Sequence, residues 1–130
     1  TLEMRRTNIA VEEGPGGGVS FLETLSGEAG GRLVDCGGAL VTRAFACGHH
    51  HIYSTLARGM PAPPKIPTNF VEVLEYIWWR LDKRLDREMI EASALAAAIQ
   101  MAKRGVTFCI DHHASPFAIE GCLTTIAEAF

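Results

Sequence analysis

His49 and His51 stand at alternate positions, and two imidazoles at that spacing can grip one metal ion. In an extended strand successive side chains point to opposite faces, so these two share a face while His50 points to the other. Neutral imidazoles bind a transition metal at about 2.0–2.1 Å per nitrogen, provided that other groups complete the shell. A solvated polar tract is the competing meaning of a histidine triplet. The flanking residues favour ligation. Ala39 to Cys47 is a largely apolar run that predicts a buried strand, and a Ser/Gly/Pro-rich stretch after Tyr53 predicts a loop. The histidines then fall at a strand's C-terminal end. Cys47 shares their face and is either a further ligand as its thiolate or, the preferred reading, a small buried residue.

The elements that must hold these residues emerge from composition and spacing. Before them, the short mixed runs Thr7 to Val11 and Val19 to Leu25 predict small strands, separated by Gly14-Pro15-Gly16-Gly17-Gly18 and followed by turns over Gly27 to Gly31. The first glycine run lacks the Lys-Ser/Thr ending of a phosphate-binding loop, so a turn is the better reading. Pro61, Pro63, Pro64 and Pro67 discourage helix in the loop from Ala57 to Thr68. Thr68 or Asn69 then caps a helix whose apolar face carries Phe70, Val73, Leu74, Ile77 and Leu81. Trp78 and Trp79 extend that face, with packing the preferred role and a wall for a planar heterocycle the alternative. Lys83, Arg84 and Arg87, mixed with acids, read as a solvated surface.

Asp86 caps a second helix with an inner stripe of Ile90, Ala94, Ala97, Ala98 and Met101, and Gly105 stops it. Val106 to Ile110 suits a second strand, parallel to the first through a right-handed crossover. Parallel pairing brings Asp111, His112 and His113 to the same rim as His49 and His51. One of the three can orient substrate or stabilise charge, and Asp111 can hold an imidazole in place. The alternative is an exposed turn leading to Ser115-Pro116.

Composition narrows the class. With 48% hydrophobic and 21% charged residues and a net charge of −3, the chain reads as a soluble globular protein. It has no basic patch interleaved with aromatics, which argues against nucleic acid as a partner. No apolar run approaches the ~20 residues that cross a bilayer. Cys36, Cys47, Cys109 and Cys122 form no Cys-x-x-Cys pair, so reduced thiols in the cytoplasm are expected.

The stretch from Thr42 to Met60, TRAFACGHHHIYSTLARGM, resembles the first barrel strand of the metal-dependent amidohydrolase superfamily, in its chlorohydrolase and aminohydrolase branch. With EYIWWRLDK and FCIDHHASP it is most similar to the aminohydrolases associated with selenium metabolism, over about Asp35 to the C-terminus. Arg43-Ala44 stands where that family commonly has Pro-Gly. The resemblance implies an α/β fold: the N-terminal part of a (β/α)8 TIM barrel over residues 39–130, preceded over 1–38 by short strands of a small β-sandwich. A full barrel takes roughly 250 residues against the 130 here, so the expectation is a cut piece of a longer protein.

The chemistry implied by the resemblance is hydrolysis of C–N bonds other than peptide bonds, as in deamination of a small, heterocyclic substrate by metal-activated water. His49 and His51 are then ligands of a divalent ion, zinc or iron, and Asp111, His112 and His113 are candidate pocket residues. The remaining ligands and the acid/base would come from later strands, so these 130 residues alone are expected to be inactive. Two readings compete: a non-catalytic metal-binding module, and an assembly fragment that self-associates through unpaired strands as a homo-oligomer.

Overall fold

The main helical stretches of the chain open on a side chain that the local sequence supplies or on a glycine. The computed structural model describes residues 4–25 and 31–130; of the turns read over Gly27 to Gly31, all but Gly31 lie outside the described residues. The chain divides into two units, Thr1–Thr42 and Arg43–Phe130. In the first, β1 (Asn8–Val11) pairs antiparallel with β2 (Val19–Leu22), with Asn8 opposite Leu22 and Val11 opposite Val19. The loop between them closes through Glu12 N–H to Gly18 O and Gly17 N–H to Gly14 O, each 3.0 Å.

The second unit is built around a strand-helix-strand crossover. β3 (Phe45–His50) and β4 (Val106–Asp111) pair parallel, with Cys47 opposite Cys109 and His50 opposite Asp111, and the ladder is irregular between those two pairs. Past β3 comes a single 3₁₀ turn, Ile52–Ser54. The next helical stretch is α1 (Phe70–Val73), a π-helical turn Leu74–Trp78, and α2 (Trp79–Asp82). Asn69 caps it, its side chain accepting from Glu72 N–H at 3.0 Å. Lys65, Thr68 and Tyr76 all donate to the Glu72 carboxylate, and the Thr68 N–H, then Lys65 and the Thr68 hydroxyl, hold it far down, at about 2.

Asp86 caps α3 (Arg87–Lys103) by accepting from Met89 N–H at 2.8 Å, and Gly105, with φ of +69°, turns the chain into β4. A second positive-φ glycine, Gly121, starts α4 (Cys122–Ala129). The core lies where the 3₁₀ turn, α3 and α4 meet: Ile52, Tyr53, Leu85, Ile90, Ala94, Ala97, Cys122 and Ile126 are all buried. Alanines at 94 and 97 let the elements approach closely around Ile90, which is 0% exposed.

The expected arc of a TIM barrel with a sandwich before it is not what these residues form. Among the described residues the strands fall into two separate two-stranded sheets, one antiparallel and one parallel. Strands of a parallel barrel are covered on both faces, yet Phe45, Phe108 and Ile110 are 60%, 58% and 49% exposed. Nor is Ala39 to Ala44 the inner part of a buried strand, for it is exposed and outside any ladder, which begins only at Phe45. A lone hairpin is likewise one sheet, whereas a sandwich requires two facing sheets.

Candidate functional site

The C-terminal ends of β3 and β4 carry five neighbouring polar groups, His49, His51, Asp111, His112 and His113, and the backbone decides where each goes. Past the end of β3, His51 leaves the ladder and begins the 3₁₀ turn. Its carbonyl oxygen accepts from Ser54 N–H at 3.1 Å and from Ser54 Oγ at 2.8 Å. Its Nδ1 lies 3.1 Å from the His112 carbonyl oxygen. A carbonyl can only accept, so Nδ1 carries a proton, and in the neutral ring Nε2 is left with a lone pair.

That lone pair faces His49. The two Nε2 atoms are 3.1 Å apart. Two nitrogens bound to one tetrahedral ion at about 2.05 Å each would stand about 3.3 Å apart, so the observed spacing needs only a few tenths of an ångström of adjustment. The donor set suits zinc or iron, and the His51–His112 contact is the kind of outer hydrogen bond that fixes a ligating imidazole. Among the described residues no group of three or more His, Cys, Asp and Glu side chains converges as a complete metal shell. The spacing alone is thus compatible with two imidazoles on one ion.

The other candidates divide between two places. His112 is exposed, and its ring stacks on His49 with centroids 5.1 Å apart. It belongs to the pair's surroundings through that ring and through its carbonyl. His113 turns away, its ring 5.4 Å from Tyr53 and its Nε2 2.8 Å from Ser115 Oγ. Asp111 holds no imidazole: its Oδ1 accepts from Ile52 N–H at 2.8 Å, tying the 3₁₀ turn to the end of β4. Cys47 does not join the histidines. Its thiol reaches the His49 carbonyl oxygen at 3.4 Å and pairs across the ladder with Cys109, whose own thiol is pushed up to about 11 by burial and then by Cys47.

Trp78 and Trp79 are consecutive and so point about 100° apart around the helix axis. Trp78 packs on the core and lies 5.1 Å from His51 and 6.0 Å from Tyr53, ring to ring, whereas Trp79 faces outward with Lys83 over it. Residue types and spacing do not point to Asp82 or Tyr53. Asp82 is 7% exposed, next to Tyr53, and burial raises its carboxyl above the ordinary range. Burial and then the Asp82 charge raise the Tyr53 phenol well above its ordinary value. The one signal for Asp82 is a carboxylate four residues after Trp78, on a face otherwise apolar. No protein-family model matches the chain, and no significant match is found among solved structures.

Proposed function

We propose that this chain supplies the first two imidazole ligands of a metal-dependent hydrolase acting on C–N bonds other than peptide bonds, a deaminase or aminohydrolase of a small substrate. The observation that carries the reading is the 3.1 Å approach of His49 Nε2 and His51 Nε2. The Nδ1 proton of His51, given to the His112 carbonyl, supports it by leaving Nε2 free. His49 and His51 would hold the ion, zinc or else iron. When bound, such an ion acts as a Lewis acid and activates water at neutral pH.

The chain's own residues have distinct tasks in this reading. His51 is anchored by its backbone and its ring, while His49 is exposed and can adjust. Asp111 fixes the turn that aims His51. Trp78 packs its ring against His51, with centroids 5.1 Å apart. His112, stacked on His49 at the solvent side, offers a flat face to a planar substrate. With two ligands and no further convergent group among the described residues, these 130 residues alone are expected to lack turnover.

The test is titration with cobalt(II), whose visible spectrum reports imidazole ligation. One ion per chain is expected, and loss of that spectrum in the double variant His49→Ala, His51→Ala. An unchanged spectrum in the double variant would sink the reading. Assembly is the second reading, favoured by the exposed Phe45 and Phe108 on a two-stranded sheet with open edges. It predicts a sedimentation profile that depends on concentration and is the same with and without the two histidines. No helix among the described residues is long and apolar enough to cross a membrane. The four cysteines are free, in keeping with a reducing cytoplasm.

A further inference from the structure

Two thiols stand side by side in the strand pair of the second unit. Cys47 in β3 and Cys109 in β4 are direct ladder partners, and Ala46 and Phe108 before them keep the same register. Residues opposite one another in a ladder point to the same face, so both side chains leave the sheet together. The two sulfurs interact as hydrogen-bond partners. Both cysteines are free and only half-buried. Cys36 lies exposed in the other unit, and Cys122 is buried in the core.

The ladder brings this pair within reach of a covalent bond. Neighbouring strands run about 4.7–4.9 Å apart, inside the Cα separation of about 4.4–6.8 Å that a disulfide spans. The Cα–Cβ bonds of ladder partners run nearly parallel, whereas a disulfide draws its Cβ atoms to about 3.5–4.5 Å, so closing the bond requires a local twist of the strands. The ladder is already irregular on both sides of this register, between Phe45 and Ala46 and between Cys47 and His50. A disulfide closed against such strain is readily reduced, which is the property of a switch and not of a staple.

We propose that Cys47 and Cys109 form a reversible disulfide when a hydroperoxide oxidises Cys47, tying β3 to β4 just before both strands reach the histidine rim. The Cys47 sulfur, as thiolate, attacks the peroxide: an S–O bond forms, the O–O bond breaks, and the departing oxygen takes up a proton. The Cys109 sulfur then attacks the Cys47 sulfur, the S–S bond forms as the S–O bond breaks, and the hydroxide leaves as water with the Cys109 proton. Two electrons pass from the thiols to the peroxide. Cys47 reacts first, since Cys109 packs against the core and burial keeps it a thiol. Contact with Cys47 makes the second step unimolecular, which offsets that low reactivity. In the closed form Cys47 lacks the hydrogen that it otherwise gives to the His49 carbonyl oxygen at 3.4 Å.

The whole chain, with a chelator present, is treated with a small excess of hydrogen peroxide, quenched with iodoacetamide, and mapped by mass spectrometry before and after digestion. The expected product loses two hydrogens at monomer mass, carries a Cys47–Cys109 linked peptide as its main crosslink, and regains both thiols in millimolar reduced glutathione. In Cys109→Ser the same dose should leave Cys47 as its sulfenic or sulfinic acid with no bridge. Mapping of the unaltered chain decides the matter even where that variant does not fold. Survival of both thiols, a main crosslink through Cys36 or Cys122, or a Cys47 sulfinic acid beside an intact Cys109 thiol overturns the proposal. So does a bridge that forms but resists glutathione, because it is then a permanent tie.

Discussion

Replacing Asp111 by Ala removes the acceptor for a buried backbone N–H, and the structure allows the consequence to be worked out. The Asp111 Oδ1 to Ile52 N contact is 2.8 Å, and Ile52 is 2% exposed, so water cannot take the carboxylate's place without opening the core. An orphaned buried donor costs about 1–3 kcal/mol. Taking the middle, ~2 kcal/mol in a unit of this size lowers Tm by about 8–16 °C. Asp111→Asn keeps a carbonyl oxygen at the same place and loses only the extra strength of a charged acceptor, within about 1 kcal/mol. Thermal unfolding followed at 222 nm, with a chelator present, measures both.

The two variants together isolate the acceptor from the charge. They also report on the histidines, because the 3₁₀ turn tied down by Asp111 begins at His51. Loosening it should weaken metal binding by about 10–100-fold in the Ala variant, the range for losing an outer hydrogen bond, while the Asn variant stays near the unaltered chain. If Asp111→Ala melts with the unaltered protein, the N–H finds another acceptor and the reasoning fails. If Asp111→Asn is as damaged as Asp111→Ala, charge and not hydrogen bonding is what Asp111 contributes.

Zinc at ten times its dissociation constant should stabilise the folded chain by about 1.4 kcal/mol and raise Tm by about 6–11 °C, with no rise in His49→Ala, His51→Ala; a thermal shift assay shows either. Ile90→Ala should cost ~2–5 kcal/mol in urea unfolding, since Ile90 is fully enclosed and its neighbours Ala94 and Ala97 have no side-chain length with which to fill the hole. Stability should also fall as pH drops through about 6.5, because burial depresses His113 in the folded state and the unfolded chain then binds the extra proton. His113→Gln should flatten that slope. Asp82 has the opposite sign: its raised carboxyl makes the fold the better proton binder, so its contribution falls as pH rises above about 3.9, and Tm against pH for Asp82→Asn should lack that fall.

The sequence is most legible where structure is decided within a few residues. Asn69 and Asp86 cap helices by bonding to the N–H three positions on, so the motif and the contact are the same thing. Gly105 stops α3 for an equally local reason. The pairing of β3 with β4 was also legible, because two β-rich runs joined only by loop and helix leave few alternatives. Exposure was not. Phe45, Phe108 and Ile110 have the residue types of a covered strand, and only the partners beside them decide whether they are covered. The π turn was hidden for another reason, since Leu74 to Trp78 has good helix formers and nothing in it names the extra residue. Trp78 and Trp79 point about 100° apart on any regular helix, so one ring meets His51 and the other faces outward under Lys83.

The histidine pair shows how the two kinds of information combine. Alternation places His49 and His51 on one face, yet facing is not the same as converging. Convergence needs His51 to leave the strand, and it does so because three bonds to its backbone and ring, from Ser54 and to His112, hold it in the first step of the 3₁₀ turn. The same bond to His112 settles which nitrogen bears the proton. Two lone pairs cannot face each other at 3.1 Å without something positive between them, so the pair resolves either by a proton on one of the two Nε2 atoms or by a cation held between both rings. The fold has therefore fixed the tautomer of the neutral His51 ring before any ligand arrives, and left its exposed partner to respond.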